Sequence, residues 1–244
     1  MFERERNYPT AVTVSGAEDP DGSQREAVTW AIAQHKEVGG RILIFVPSKV
    51  DLSSMDNLLA QLAQAPGVVV GTKRDRAGDW SGGSVIAAWP TRETLGFIAD
   101  DRRTRALCVI PWGDEEVAPW KSAAKPELLG AAEPADLVSK LDPVVVAGLK
   151  QLTRMVNHSN NLAGGLDQRD AVAVIRVLNG AGYKLPADDV YSWAISNGWP
   201  ERGAGRLREM VEKTERGVRL QMKGASPLRG DILDTWKSDA NIGR

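Results

Sequence analysis

The chain has 244 residues, 42% apolar and 26% charged, with a formal net charge of −1. This is the balance of a globular protein with a full core, which excludes fibrous and disordered classes and supplies no global field toward nucleic acid or an anionic membrane. No apolar run reaches the ~18 residues of a membrane-spanning helix.

Ala11 to Val14 is a short predicted strand. Ser23-Gln24-Arg25-Glu26 has the spacing of a capping box, in which each side chain satisfies a backbone donor of the other, and predicts a helix to about Val38. Gly39-Gly40 ends it. Arg41 to Pro47 is apolar on both faces, so this strand needs cover on both sides, as in parallel α/β sheets. A helix from Met55 to Ala65, opened by Ser53, Ser54 and Asp56, and a strand Val68 to Gly71 follow. Residues 72–83 are a polar, glycine-rich loop. Ser84 to Trp89 is a fourth strand, Pro90 opens a helix to about Arg103, and Arg105 to Ile110 is a fifth strand closed by Pro111-Trp112-Gly113. The alternation predicts an α/β domain over 1–113 with a five-stranded, mostly parallel, Rossmann-like sheet flanked by helices.

After Gly113 the composition shifts. Residues 114–135, rich in alanine and proline without a sustained period, read as a linker. Residues 136–244 read as an all-α domain. Its helices open at Asp142-Pro143 (to about Val156), Asp167 (to Leu178), Pro186 (to Asn197-Gly198), Glu201 (to about Met222) and Pro227 (to Trp236).

The residues Ile42-Leu43-Ile44-Phe45-Val46-Pro47-Ser48, within segment 41–62, resemble the strand and helix that open the second RecA-like domain of superfamily 2 helicases. The resemblance spans about twenty residues, and the Gln-x-x-Gly-Arg-x-x-Arg motif of those helicases is missing, so no activity is carried over.

The common chemical motifs are absent. There is no Walker-type phosphate loop and no Gly-x-Gly-x-x-Gly after the first strand. His35, His158 and Cys108 are the only histidines and cysteine, so no metal site and no cofactor are expected. Cys108 lies in an apolar run and reads as a buried, inert thiol, with no partner for an intrachain disulfide. No Gly-x-Ser-x-Gly elbow supports a nucleophile. An enzyme on a phosphorylated substrate, with Asp100, Asp101 or Asp114 as base, is the last of the readings. The charge-alternating N-terminus lacks an apolar signal core, and a cytoplasmic protein is expected. Arginine outnumbers lysine 20 to 11, as in GC-rich bacterial genomes.

Position supplies the better clue. Ligands of open parallel sheets bind outside the carboxyl ends of the strands. Those ends carry Ser48, Lys49 and Asp51; Thr72, Lys73, Arg74, Arg76 and Trp80; Trp89, Thr91 and Arg92; and Trp112, Asp114 and Glu115. Cations, hydroxyls and flat aromatic faces, with donors of the helix starts at Ser53 and Thr91, suit a phosphate-bearing ligand with a base to stack. The competing reading is that these tryptophans pack the linker or the helical domain. Asn157-His158-Ser159-Asn160-Asn161 could present amides and an imidazole, or simply end a helix. Arg202 to Arg229 holds eight basic and three acidic residues, a net +5. Arg202, Arg206, Lys213 and Arg216 share a helical face suited to nucleic-acid phosphates, and also to water. Val190 to Val211 has a helix-turn-helix cast, with Ala194 and Gly198 near the turn. The expected partners are nucleic acid or a nucleotide, or else a protein, with no membrane; the expected function is non-catalytic binding, and the alternative a structural or protein-interaction role.

Overall fold

The structure is a computed structural model that describes residues 8–49, 52, 58–130 and 141–242. Asp51, Ser53, Ser54, Met55, Asp56 and residues 131–140, which include the end of the expected linker, lie outside the described residues. The chain divides into two compact units, 1–137 and 138–244.

Unit 1 is an α/β layer structure. Its elements are β1 (Thr10–Val12), α1 (Pro20–Val38), β2 (Ile42–Phe45), α2 (Leu58–Leu62), β3 (Val68–Gly71), β4 (Gly83–Ala88), α3 (Arg92–Ala99), β5 (Thr104–Ile110), α4 (Asp114–Ala124) and β6 (Glu127–Leu128). Among the described residues six strands, not five, form the sheet, in the order β3-β2-β4-β5-β1-β6. Every pairing is parallel, with Ile44 opposite Val70 and Ile86, and Ala11 opposite Cys108 and Glu127. The order departs from that of the dinucleotide-binding fold, where the first strand lies between the second and fourth.

Two apolar layers explain why the strands lack a polar face. Ile44, Ile86, Cys108 and Ala11 meet Ala27, Trp30 and Ala31 of α1 and Leu59 of α2. Their sequence neighbours Leu43, Phe45, Val85, Leu107 and Val109 meet Ala77, Trp80, Leu95 and Ile98, and Val117 and Trp120 of α4. The first two crossovers run toward the β3 edge and cover one face. The last three run toward the β6 edge and cover the other, so all five share one hand.

The stretch expected as a linker from 114 onward is thus partly built into unit 1. Asp114–Ala124 is helical despite Pro119 inside it, and β6 pairs with β1. Val117 and Trp120 are buried in the second layer, a burial that alanine-rich periodicity hides. The helix expected to open at Ser23 opens instead at Pro20. Asp19 is the cap and accepts from the Gly22 amide at 2.9 Å, while Ser23 is buried within the helix. A cap followed by proline in the first turn wins over the capping box.

Unit 2 contains α5 (Pro143–Met155), a 3-10 turn (His158–Asn160), α6 (Gly165–Gly180), α7 (Ala187–Ser196), α8 (Glu201–Glu215) and α9 (Ile232–Ile242) around one core that includes Leu149, Ile175, Val190, Trp199, Leu207 and Trp236. Asp142 caps α5 by accepting from the Val144 amide at 2.8 Å. Asp167, expected as a cap, lies inside the first turn of α6. There it is buried and accepts from the Asn157 amide and the Asn160 side chain. The helix expected to run to Met222 ends at Glu215. Gly217 takes φ +77°, the Gly217 amide donates to Thr214 and the Val218 amide to Lys213, a Schellman stop. Residues 216–231 are irregular. The last helix accordingly starts at Ile232 rather than Pro227.

Candidate functional site

The carboxyl edge of the sheet gathers Ser48, Lys49, Thr72, Lys73, Arg74, Trp89, Thr91, Arg92 and Trp112, because every strand points the same way. Most of these groups are held by other groups of the chain. Lys49 Nζ lies 2.7 Å from Asp75. Asp75 also accepts from the Thr72 amide at 2.7 Å. Partial burial works to raise the Asp75 carboxyl, but the Lys49 ammonium and the Thr72 donors outweigh it and hold it below its ordinary value. Lys73 pairs with Glu93.

The helix start at Thr91 is also occupied. Thr91 Oγ1 accepts from the Thr94 amide at 3.3 Å, and the Arg92 amide donates to the Glu116 carboxylate at 2.7 Å. The Arg92 guanidinium donates to the Glu115 carbonyl at 3.1 Å. A helix N-terminus attracts anions, and here the anion is the protein's own Glu116. Lys49, Lys73, Arg74 and Arg92 are matched in number by Asp75, Glu93, Glu115 and Glu116.

The loops after β1 and β5 leave toward opposite faces, as do those after β2 and β4, and such places are where open α/β sheets take ligands. The crevice between β1 and β5 is laced shut. Ser15 Oγ donates to the Trp112 carbonyl at 2.6 Å and the Gly16 amide to the Pro111 carbonyl at 2.7 Å. Trp89 stands edge-on to Trp112, with ring centroids 6.5 Å apart. Its φ of +52° is unusual for a bulky residue, and its amide is held by the Ile110 carbonyl at 2.8 Å. A Cβ at Gly16 would lie 2.7 Å from Trp89 Nε1, so a side chain there would have to displace the indole. Trp112 remains 59% exposed.

Two residues expected at this edge, Arg76 and Trp80, lie elsewhere, as does Asp101, named as a possible base. Trp80 is buried on the sheet face, and its Nε1 donates to the Arg41 carbonyl at 2.7 Å, beside the amino end of β2. The carbonyls of Arg76 and Trp80 both accept from the Arg103 guanidinium. Asp101 lies before β5, at the amino edge, where it receives Arg103. Asp100 also precedes β5, whereas Asp114 follows it, so these three carboxylates do not share one edge. Among the described residues, no group of three or more His, Cys, Asp or Glu is placed to hold a metal.

In unit 2 the 157–161 cluster is tied to the start of α6, with Asn157, Ser159 and Asn160 exposed and His158 half-buried. Asn157 and Asn160 bind Asp167, and His158 Nε2 lies 3.1 Å from the Thr153 carbonyl, its ring edge-on to Trp199.

The charge of the two units is opposite. Residues 1–137 carry 15 basic and 20 acidic side chains, a net −5; residues 138–244 carry 16 and 12, a net +4. The +5 of segment 202–229 therefore accounts for the whole excess of unit 2. On α8 the buried face is Gly203, Ala204, Leu207 and Val211. At about 100° per residue, Arg202, Arg206, Lys213 and Arg216 fall on a narrow arc roughly opposite. Arg206 is committed, since its Nη1 donates to the Asn161 carbonyl at 2.7 Å. Arg216 Nε donates to the Glu212 carbonyl at 3.3 Å. Arg202 and Lys213 are exposed.

The irregular segment adds Arg219, Lys223 and Arg229, with no carboxylate between Arg216 and Asp231. Leu220 and Leu228 anchor it to the core while Arg219 and Lys223 stay exposed. Lys213, Arg219 and Lys223 have no ion-pair partner among the described residues. Counting charge along the sequence finds these cations; only the early helix stop separates those of the segment from α8.

Among the described residues no helix is long and apolar enough to cross a membrane. Residues 141–237, spanning α5 to α8 and half of α9, match the family model of a domain of unknown function (DUF1889). No curated protein and no solved structure matches the chain.

Proposed function

We propose that the protein binds nucleic acid, without catalysis, through the basic stretch 202–229 of unit 2. The observation that carries this reading is the concentration of the unit's entire positive excess in one exposed stretch. Cations held outward on a folded frame displace the counterions of a phosphate backbone, and that release drives association. The surrounding bonds support a frame that keeps its shape. Arg206 holds Asn161, and Arg208 reaches both Asp188 and Glu212 between α7 and α8.

The carboxyl edge of unit 1 fits a phosphate-bearing ligand less well, because Lys49, Lys73 and its α3 start already face carboxylates. Exposed Trp112 favours a second reading there, the docking of a protein partner.

An anisotropy titration of the full-length protein with labelled nucleic acid tests the first reading. Replacing Lys213, Arg219 and Lys223 together by alanine should weaken binding about 50-fold at near-physiological salt. An unchanged affinity, or no binding by the wild type, contradicts it.

A further inference from the structure

We infer that the nucleic acid bound by unit 2 is a B-form duplex, with the outer arc of α8 laid against its major groove and flanking phosphates. This rests on the reading above and adds the class of ligand and the element that meets it.

The first support is the frame around α8. Helix α7 ends at Ser196, residues 197–200 turn, and α8 begins at Glu201. Gly198 takes φ +81°, its amide donates to Ile195 and the Trp199 amide to Ala194, so α7 stops and the chain turns into α8 within four residues. Val190 and Ala194 of α7 and Ala204, Leu207 and Val211 of α8 are all buried in one core. The inner side of the second helix is thereby fixed and its opposite side faces out, the arrangement by which helix-turn-helix proteins offer a helix to the major groove. From Arg202 to Arg216 the arc runs about 21 Å along the axis, roughly six base-pair steps of a duplex.

The second support is the lack of a stacking surface. Unit 2 has no phenylalanine. Trp193, Trp199, Trp236 and Tyr191 are buried, and Tyr183 packs on the core. Single strands are held largely by bases stacked on aromatic faces, and none is offered beside the cations. A double strand instead presents the densest phosphate array, with one charge per ~1.7 Å of axis. A-form duplexes exclude a helix from their deep, narrow major groove.

One side chain of the arc works against binding and serves as an internal probe. Glu209 is exposed and lies on the same arc, between Arg206 and Lys213. A carboxylate facing phosphates opposes binding, so its neutralisation reports where α8 sits. On a helix turned away from the ligand it would have little effect.

The experiment compares the full-length protein with a short labelled DNA duplex, one of its single strands, and the RNA duplex of the same sequence, at one salt concentration. The DNA duplex should bind tightest, by about tenfold. Glu209→Gln should tighten the duplex complex about two- to fivefold, and Arg202→Ala should loosen it. Equal or tighter binding of the single strand or the RNA duplex overturns the inference while leaving nucleic-acid binding intact. So does a Glu209→Gln variant with unchanged affinity. Binding to none of the three overturns both.

Discussion

The guanidinium of Arg206 donates to the Asn161 carbonyl at 2.7 Å. One of the four cations on the arc of α8 therefore holds the segment before α6, while Arg202, one turn away, stands in water. The two should part in mutagenesis. Arg206→Ala should cost about 1.5–3 kcal/mol of unfolding free energy, as a lost hydrogen bond from a charged donor. Arg202→Ala should change stability by less than about 0.5 kcal/mol. Urea unfolding of the two variants checks this; equal losses would contradict the assignment.

Acid should act on unit 1 through Asp101. Its burial works to raise the carboxyl, but the Arg103 guanidinium and amide outweigh this and hold it below the ordinary value. A carboxyl lowered on folding contributes stability that is present above its unfolded value, about pH 4. That contribution is lost as pH falls toward the folded value. Thermal melts from pH 6 to pH 3 should drop more steeply in the wild type than in Asp101→Asn, where this contribution is missing at every pH. Parallel curves would show that the pair does not act.

The thiol of Cys108 should be silent in the native protein. It is fully buried within β5 and faces α1; burial raises its pKa, and the charges of Glu127 and Glu26 add to that. Thiolate, the reactive form, is therefore scarce as well as inaccessible. An aromatic disulfide reagent should label it only after denaturant is added. Rapid labelling of the native protein would displace β5 from the core.

The strands β1 to β5 are legible because their apolar residues run continuously, as strands covered on both faces must. Strand β6 is not, since two exposed residues carry no pattern and only pairing with β1 defines them. Trp80 misleads because residues 72–83 read as a polar loop at the carboxyl edge, yet the segment crosses the whole sheet face to reach β4. The carboxyl edge itself follows from the parallel strands, but its neutrality does not. The pairs Lys49 with Asp75 and Lys73 with Glu93, and the seat of Glu116 on the Arg92 amide, depend on loop geometry that no spacing rule reports. The end of α8 is marked by Gly217, but Gly203 and Gly205 lie inside the same helix, so glycine alone does not tell a stop from a passenger.

Salt dependence tests the central claim most directly, because it counts phosphate contacts instead of inferring them. For the DNA duplex, the slope of log affinity against log salt changes by ~0.9 for each phosphate contact. The variant with Lys213, Arg219 and Lys223 replaced by alanine should therefore show a slope shallower by about 2.7 than the wild type. The same slope in both proteins would mean that the basic stretch 202–229 does not touch the nucleic acid.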